Sequence, residues 1–183
     1  MNPLSDNAIM MKVKNGDLDR LGLLFERYHR ALFGFLFHMT CQRELSEDMV
    51  QNVFYRILKY RHTFRGDGEF KTWMYHMARN VINDNGRAIK RTVRHNEVTE
   101  MTENIGGGFA ADEPIHKKQE LAILKNAMAG LSEESREILI LSKYQELKYQ
   151  EIAQIMEITE GAVKVRVHRA ISQLKNMYLQ IAN

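Results

Sequence analysis

An all-α fold, built as two small helical domains on a flexible linker, is predicted by three features of this 183-residue chain. Apolar residues recur in steps of three and four toward both ends of the sequence, the spacing of one helix face. Good helix formers dominate, against two prolines and eleven glycines. Between the periodic parts, from Thr92 to about His116, the pattern stops. That segment, TVRHNEVTEMTENIGGGFAADEPIH, is acidic and carries three consecutive glycines and a proline, a linker composition. The expected division is a bundle of three to four helices over 1–91, a linker over 92–118 and four helices over 119–183. No repeat relates the two halves.

In the first domain, apolar positions 18, 21, 25, 28, 32, 35 and 39 mark one amphipathic helix with Asp17 as its N-cap. A second helix is expected from Ser46, with Glu47 and Asp48 in its first turn and Met49, Val50, Val53, Phe54 and Ile57 as its stripe. The segment RHTFRGDGEF holds two glycines and reads as a loop. A third helix follows from about Phe70 to Arg91, with Phe70, Trp73, Met74, Met77 and Val81 inward. Beyond the linker, Lys117–Gly130, Ser132–Tyr144, Lys148–Met156 and Glu160–Tyr178 read as four helices.

Charge is unevenly spread around a net of +3. Residues 61–95 hold eight Lys/Arg against three Asp/Glu, and residues 96–120 hold two against six. A basic block fits a polyanionic partner, and an acidic one fits a solvated tether. The single cysteine, Cys41, excludes an internal disulfide and a cysteine metal cluster. The start MNPLSDNAIMM has no signal-peptide pattern, and the apolar run Leu32–Phe37 is far too short to span a membrane. A cytoplasmic protein without membrane insertion is expected. No paired-carboxylate site, metal-ligand cluster or phosphate loop stands out, so neither catalysis, a metal nor a cofactor is expected.

The stretch EIAQIMEITEGAVKVRVHRA has the layout of a helix-turn-helix. Positions 149, 152, 153 and 156 make one apolar face. Glu157, Ile158 and Thr159 turn the chain, and Val163, Val167, Ala170, Ile171 and Leu174 face inward on the next helix. Opposite that stripe lie Gly161, Val165, His168, Arg169 and Ser172, with Lys164 on one flank and Arg166 on the other, nearer the core. Outward residues near the helix start are candidates for base edges, and the cations suit phosphates. An arginine bidentate to guanine discriminates by roughly 1–3 kcal/mol, whereas phosphate contacts give affinity without sequence. Gly161 would let the backbone approach a duplex closely, and Val165 could touch a thymine methyl. The alternative is a solvated basic face on an ordinary bundle helix.

The stretch FRGDGEFKTWMYHMARN interleaves aromatics with cations, which suits single-stranded nucleic acid because bases stack on rings and phosphates meet charges. A pocket of Phe64, Tyr75 and Asn80 could hold an unstacked base. Tyr75 lies off the inward stripe, whereas Trp73 and Met77 share it and read as core. Asp67 fits a turn-shaping role beside its glycines, and Arg79 could equally pair with a carboxylate of its own bundle.

Together, DMVQNVFYRILK, FRGDGEFKTWMYHMARN and LSEESREILILSKYQELKYQEIAQIMEITEGAVKVRVHRAISQL resemble the extracytoplasmic-function (group IV) sigma factors of bacterial RNA polymerase, in the sigma-70 family. Asp17–Arg91 is similar to sigma region 2 and Gln119–Met177 to region 4. The resemblance implies a promoter-specificity factor that binds core RNA polymerase, recognises −35 and −10 elements and nucleates melting. Region 2 would dock on the β′ clamp coiled coil through Asp48, Gln51 and Phe54. It would hold the −10 single strand through positions matching the family pocket: Arg56, Tyr60, Phe64, Tyr75, Met77, Asn80 and Asp84, with Arg65 beside them in the loop. Region 4 would read the −35 element through Gly161, Lys164, Val165, Arg166, His168 and Arg169 and would sit on the β flap. A cognate anti-sigma factor is a further implied partner.

Four positions depart from the family pattern. Glycine is common where Glu146 and Glu157 stand, and a left-handed residue other than glycine costs about 1 kcal/mol. A small polar residue is common in place of Val165, and an amide occurs in some members in place of Asp84. Two rivals remain on the sequence alone. One is a helix-turn-helix regulator acting without polymerase, which leaves residues 64–80 without a task. The other is an adaptor or decoy that occupies polymerase or a regulator without opening promoters.

Overall fold

The computed structural model describes residues 4–95 and 115–182, which are helices and their connections with no strand among them. The chain divides into two compact units, Met1–Ile105 and Gly106–Asn183. Both ends of the expected linker are helical instead, because residues 92–95 continue the last helix of the first unit and 115–118 begin the first helix of the second. The first of these runs on past the isolated Gly86, in a stretch of sequence rich in good helix formers. The remaining linker residues, 96–114, lie outside the described residues.

The first unit holds α1 (Asp6–Lys14), α2 (Leu21–Thr40), α3 (Arg43–Lys59) and α4 (Phe70–His95). Helix α1 was not expected. Ser5 caps it by accepting from the Ala8 amide at 3.2 Å, and Ile9, Met10 and Val13 are wholly buried. The Asp6 carboxylate receives Arg27 at 2.5 Å and the Tyr28 hydroxyl, which fixes α1 on α2. Burial first, then this hydrogen bond, raises the Tyr28 pKa above the usual phenol value.

Helix α2 begins later than its periodicity indicates. Asp17 heads a 3₁₀ turn, Leu18–Arg20, and makes no side-chain cap. That turn rotates Leu18 out of phase, so it is exposed, as is Phe25, and the buried stripe is Leu24, Leu32, Phe35, Leu36 and Met39. Helix α3 begins earlier than expected. Cys41 takes a left-handed conformation (φ 57°) that lets α2 turn directly into α3. Ser46 is therefore buried inside α3, with its hydroxyl donating to the Gln42 carbonyl at 2.5 Å, and is not a cap. Helix α4 lies deep in the bundle, and Phe70, Met74, Tyr75, Met77, Ala78, Val81 and Ile82 are all buried.

The second unit holds α5 (Ile115–Gly130), α6 (Glu133–Leu139), α7 (Tyr149–Met156) and α8 (Glu160–Ala182), with a π-helical turn at Ile140–Tyr144 after α6. Arg136 answers the end of α5, donating to the carbonyls of Met128 (3.0 Å), Ala129 (2.7 Å) and Leu131 (3.2 Å). Glu151 accepts from the Lys148 amide at 2.7 Å and closes the start of α7. Ile152, Ile155 and Met156 of α7 are buried, as are Val163, Val167 and Ala170 of α8. Ile171, expected inside, is 41% exposed and lies at the edge of the buried stripe, next to Ala170. Glu146 and Glu157 are left-handed (φ 50° and 56°), the conformations that a glycine would take without strain.

Replacing Glu146 by glycine removes a Cβ conflict of about 1–2 kcal/mol and returns roughly 0.5–1 kcal/mol as chain entropy. Glu146→Gly is therefore expected to raise the melting temperature of the second unit by a few degrees in calorimetry, while Glu146→Ala gives no gain.

Candidate nucleic-acid interface

The loop between α3 and α4 is built outward from buried anchors. A 3₁₀ turn, Arg61–Thr63, leads into Phe64, which is only 3% exposed and packs on Trp73 at 5.2 Å between ring centroids. Arg65, Asp67 and Glu69 are exposed, and Gly66 is left-handed (φ +81°). Three bonds from α1 hold this segment. Lys14 Nζ donates to the Phe64 carbonyl at 2.6 Å, Asn7 Nδ2 donates to the Gly68 carbonyl at 2.9 Å, and Asn7 Oδ1 accepts from the Phe70 amide at 2.7 Å.

Beside the loop's base, α3 and α4 frame an open cleft of about 790 Å³. Arg56 and Asp84 meet in it at 2.8 Å, and Arg56 Nε also donates to Asn52 Oδ1 at 3.0 Å. The exposed rings of Tyr55 and Tyr60 line the same cleft, as do Lys59, Asp48 and Gln51. Two phenol faces among Arg56 and Lys59 are the combination that stacks bases and neutralises phosphates. Asp84, which would repel DNA by itself, is directed at a cation.

Of the candidates for the single strand, the structure brings together Arg56, Tyr60 and Asp84. Asn80 is exposed on α4 one turn before Asp84, near His76 Nδ1 (3.4 Å), and Arg65 is exposed in the loop. Three expectations are corrected. Tyr75 is wholly buried, edge-on to Phe35 at 5.3 Å, because the buried sector of α4 is wider than one stripe. Burial raises its phenol pKa. Phe64 and Met77 (8% exposed) are also core residues and present no face to a base here. Among the candidates for polymerase, Asp48 and Gln51 are exposed on α3, whereas Phe54 is turned inward and meets Phe25 at 4.9 Å. Tyr55, Lys59, Asn7 and Lys14 were not singled out from the sequence. For the first two, the alternation YRILKY was the available signal; for the others, the capping serine ahead of α1.

In the second unit, Thr159 Oγ1 accepts from the Ala162 amide at 3.2 Å and starts α8 where the turn ends. Gly161, Lys164, Val165, His168 and Arg169 are all exposed on α8. A Cβ at Gly161 would meet nothing within 4 Å, so this edge is open. Val165, Lys164, His168 and Ile171 share a shallow groove of about 450 Å³ with Tyr149 of α7. Arg166 behaves differently, pairing with Glu134 of α6, so its charge is partly answered within the unit.

A helix-turn-helix with an exposed cationic helix in one unit, and a bundle bearing a cation–tyrosine cleft in the other, define a two-domain nucleic-acid-binding protein. The comparisons narrow this class. Residues 24–92 match sigma-70 region 2, and residues 121–174 match sigma-70 region 4. The chain is 32% identical over 157 residues to the ECF RNA polymerase sigma factor SigM of Bacillus subtilis, covering 85% of this chain and 93% of that one. It is 28% identical to the ECF RNA polymerase sigma-E factor of Escherichia coli, covering 94% of each. Among solved structures, the fold is like that of the sigma factor RpoE of Bartonella quintana in complex with the anti-sigma factor NepR. The TM-score is 0.74, with 23% identity over 85% of this chain and 94% of that one. It is also like CnrH in complex with the cytosolic domain of CnrY, with a TM-score of 0.71 and 19% identity over 94% of this chain and 96% of that one. This chain belongs to the sigma-70 family and is an extracytoplasmic-function sigma factor. No helix among the described residues is long and apolar enough to cross a membrane.

The half-exposed Arg166–Glu134 pair contributes no more than about 1 kcal/mol. Arg166→Ala is expected to lower stability in urea by up to that amount, with the loss shrinking in high salt. Arg169→Ala, on the open face, should stay within about 0.5 kcal/mol of the parent.

Proposed function

We propose that the chain is a dissociable promoter-specificity subunit, acting in the cytoplasm without chemistry of its own, and that its two units divide the promoter. The second unit would meet the duplex −35 element with α8. Lys164 and Arg169 would take phosphates or a guanine edge, Val165 and His168 would face bases, and Gly161 would permit close approach. The first unit would hold the melted −10 strand. Tyr55 and Tyr60 would offer stacking faces, Arg56 and Lys59 would meet phosphates, and Asn80 and Arg65 would read a displaced base. Asp48 and Gln51 would meet a basic surface of the polymerase clamp. The observation that carries this reading is the cleft in which exposed tyrosines and cations stand together on α3, a surface that a plain duplex-binding regulator does not need.

Two of the solved relatives are captured with protein partners, RpoE with the anti-sigma factor NepR and CnrH with the cytosolic domain of CnrY. A cognate anti-sigma factor is proposed for this chain. Affinity for naked DNA is expected to be weak, because a net charge of +3 leaves few phosphates neutralised.

Transcription in vitro with core RNA polymerase, on fragmented DNA from the source genome, tests the proposal. The expected outcome is a set of defined start sites sharing two upstream elements, with loss of starts on Asn80→Ala and on Arg169→Ala. Polymerase binding without starts would indicate a decoy, and duplex binding without polymerase would indicate a plain regulator. Asp84→Asn is expected to tighten binding of a single-stranded −10 oligonucleotide by the holoenzyme several-fold, since one negative charge in the cleft is worth about 1 kcal/mol near a surface. A fluorescence titration reads that change.

A further inference from the structure

We infer that α1 is a positioning element for the loop between α3 and α4, acting through Asn7 and Lys14, and that it sets how selectively that loop treats −10 bases. The inference rests on the functional reading above for the loop's task, though not for its attachment. The three hydrogen bonds from Asn7 and Lys14 to this segment all go to backbone: the carbonyls of Phe64 and Gly68 and the amide of Phe70. The exposed side chains of Arg65, Asp67 and Glu69 are not engaged by those bonds, so the same brace serves whatever residues read the DNA. Met11 completes the contact, since its sulfur lies 3.4 Å from where a Cβ at Gly66 would stand.

The brace is itself rigid. Ile9, Met10 and Val13 are wholly buried, and Asp6 is held by Arg27 and Tyr28 of α2. A segment with glycines at 66 and 68 has wide backbone freedom on its own, and the residues it exposes, Arg65, Asp67 and Glu69, point only as well as that backbone is fixed. Asn7 is suited to the task because one amide supplies both the donor and the acceptor across the two-residue gap from Gly68 to Phe70. Aspartate keeps the acceptor alone, and alanine keeps neither.

The test uses the full chain with core polymerase and a promoter library randomised across the −10 element, together with amide hydrogen exchange of the free protein. For Asn7→Ala, the expected result is a loss of open complexes on duplex promoters of about tenfold, and a flattened base preference at −10. Exchange at residues 65–70 should accelerate, with polymerase binding and −35 protection unchanged. Asn7→Asp should fall between Asn7→Ala and the parent. Lys14→Met should resemble Asn7→Ala more mildly, and Lys14→Arg should restore the parent profile. An unchanged base preference in both Asn7→Ala and Lys14→Met, whatever their melting temperatures, would overturn the inference, because a purely stabilising helix lowers all promoters alike. If the parent opens no promoter, the functional reading fails; unchanged exchange in the variants would then reject the brace independently.

Discussion

The side-chain amide of Asn7 sits where the first unit changes from loop to helix, and it holds the backbone on both sides of that junction. A helix leaves its first amides without partners inside itself. At the start of α4 one of these is answered from another helix, by Asn7 Oδ1, while the same side chain holds the preceding carbonyl of Gly68. The second unit solves the same problem at each of its corners. Arg136 gathers three carbonyls at the end of α5, Ser132 and Thr159 cap α6 and α8, and Glu151 closes the start of α7. Short helices contribute little stability by themselves. What fixes their ends relative to one another is this set of side chains, and the surfaces offered to nucleic acid begin at those ends.

Much of this architecture is legible in the sequence wherever the determinant is local. The helix-turn-helix could be read because α7, its turn and the start of α8 lie within about twenty residues and each has its own apolar face. The left-handed glutamates, by contrast, are marked only by the family resemblance, in which glycine is common at both positions. The reading failed where the determinant was distant or the period ambiguous. Tyr75 follows Met74 directly, so a single stripe at 100° per residue puts it outside. In a helix surrounded by three others, two adjacent stripes are buried and Tyr75 belongs to the second. Phe54 belongs to the inward stripe by its spacing and to a polymerase surface only by the family resemblance, and its contact with Phe25 agrees with the spacing. Helix α1 spans only nine residues, too few turns for periodicity to declare itself. Its bonds to residues some sixty positions away are invisible in any window.

Two arginines that the sequence singles out as DNA-contact candidates have internal partners and share one design. Arg56 faces Asp84 across α3 and α4, and Arg166 faces Glu134 across α6 and α8. Neither pairing is visible from sequence spacing, and neither is deeply buried. Such pairs add little stability in solvent, yet they hold a long side chain in one direction. A phosphate arriving at either site offers the guanidinium the same kind of oxyanion that the carboxylate already provides. Exchange therefore costs little Coulomb energy and little rotamer entropy, because the fork is already extended.

The same exchange explains why a protein with these surfaces need not adhere to DNA wherever it meets it. A cation that gives up a carboxylate to gain a phosphate leaves that carboxylate close to the backbone, and the net neutralisation per contact falls below one. Binding then depends on several contacts being made together, with stacking on Tyr55 and Tyr60 in the first unit and the open face of α8 in the second. Stacking on tyrosine requires bases already out of the duplex. On the proposed reading, the paired arginine in the first unit would weaken non-specific duplex binding, while the rings would favour DNA that has been melted. That division would favour promoter opening over storage on the chromosome, and it would follow from the side chains that α3 presents along one cleft.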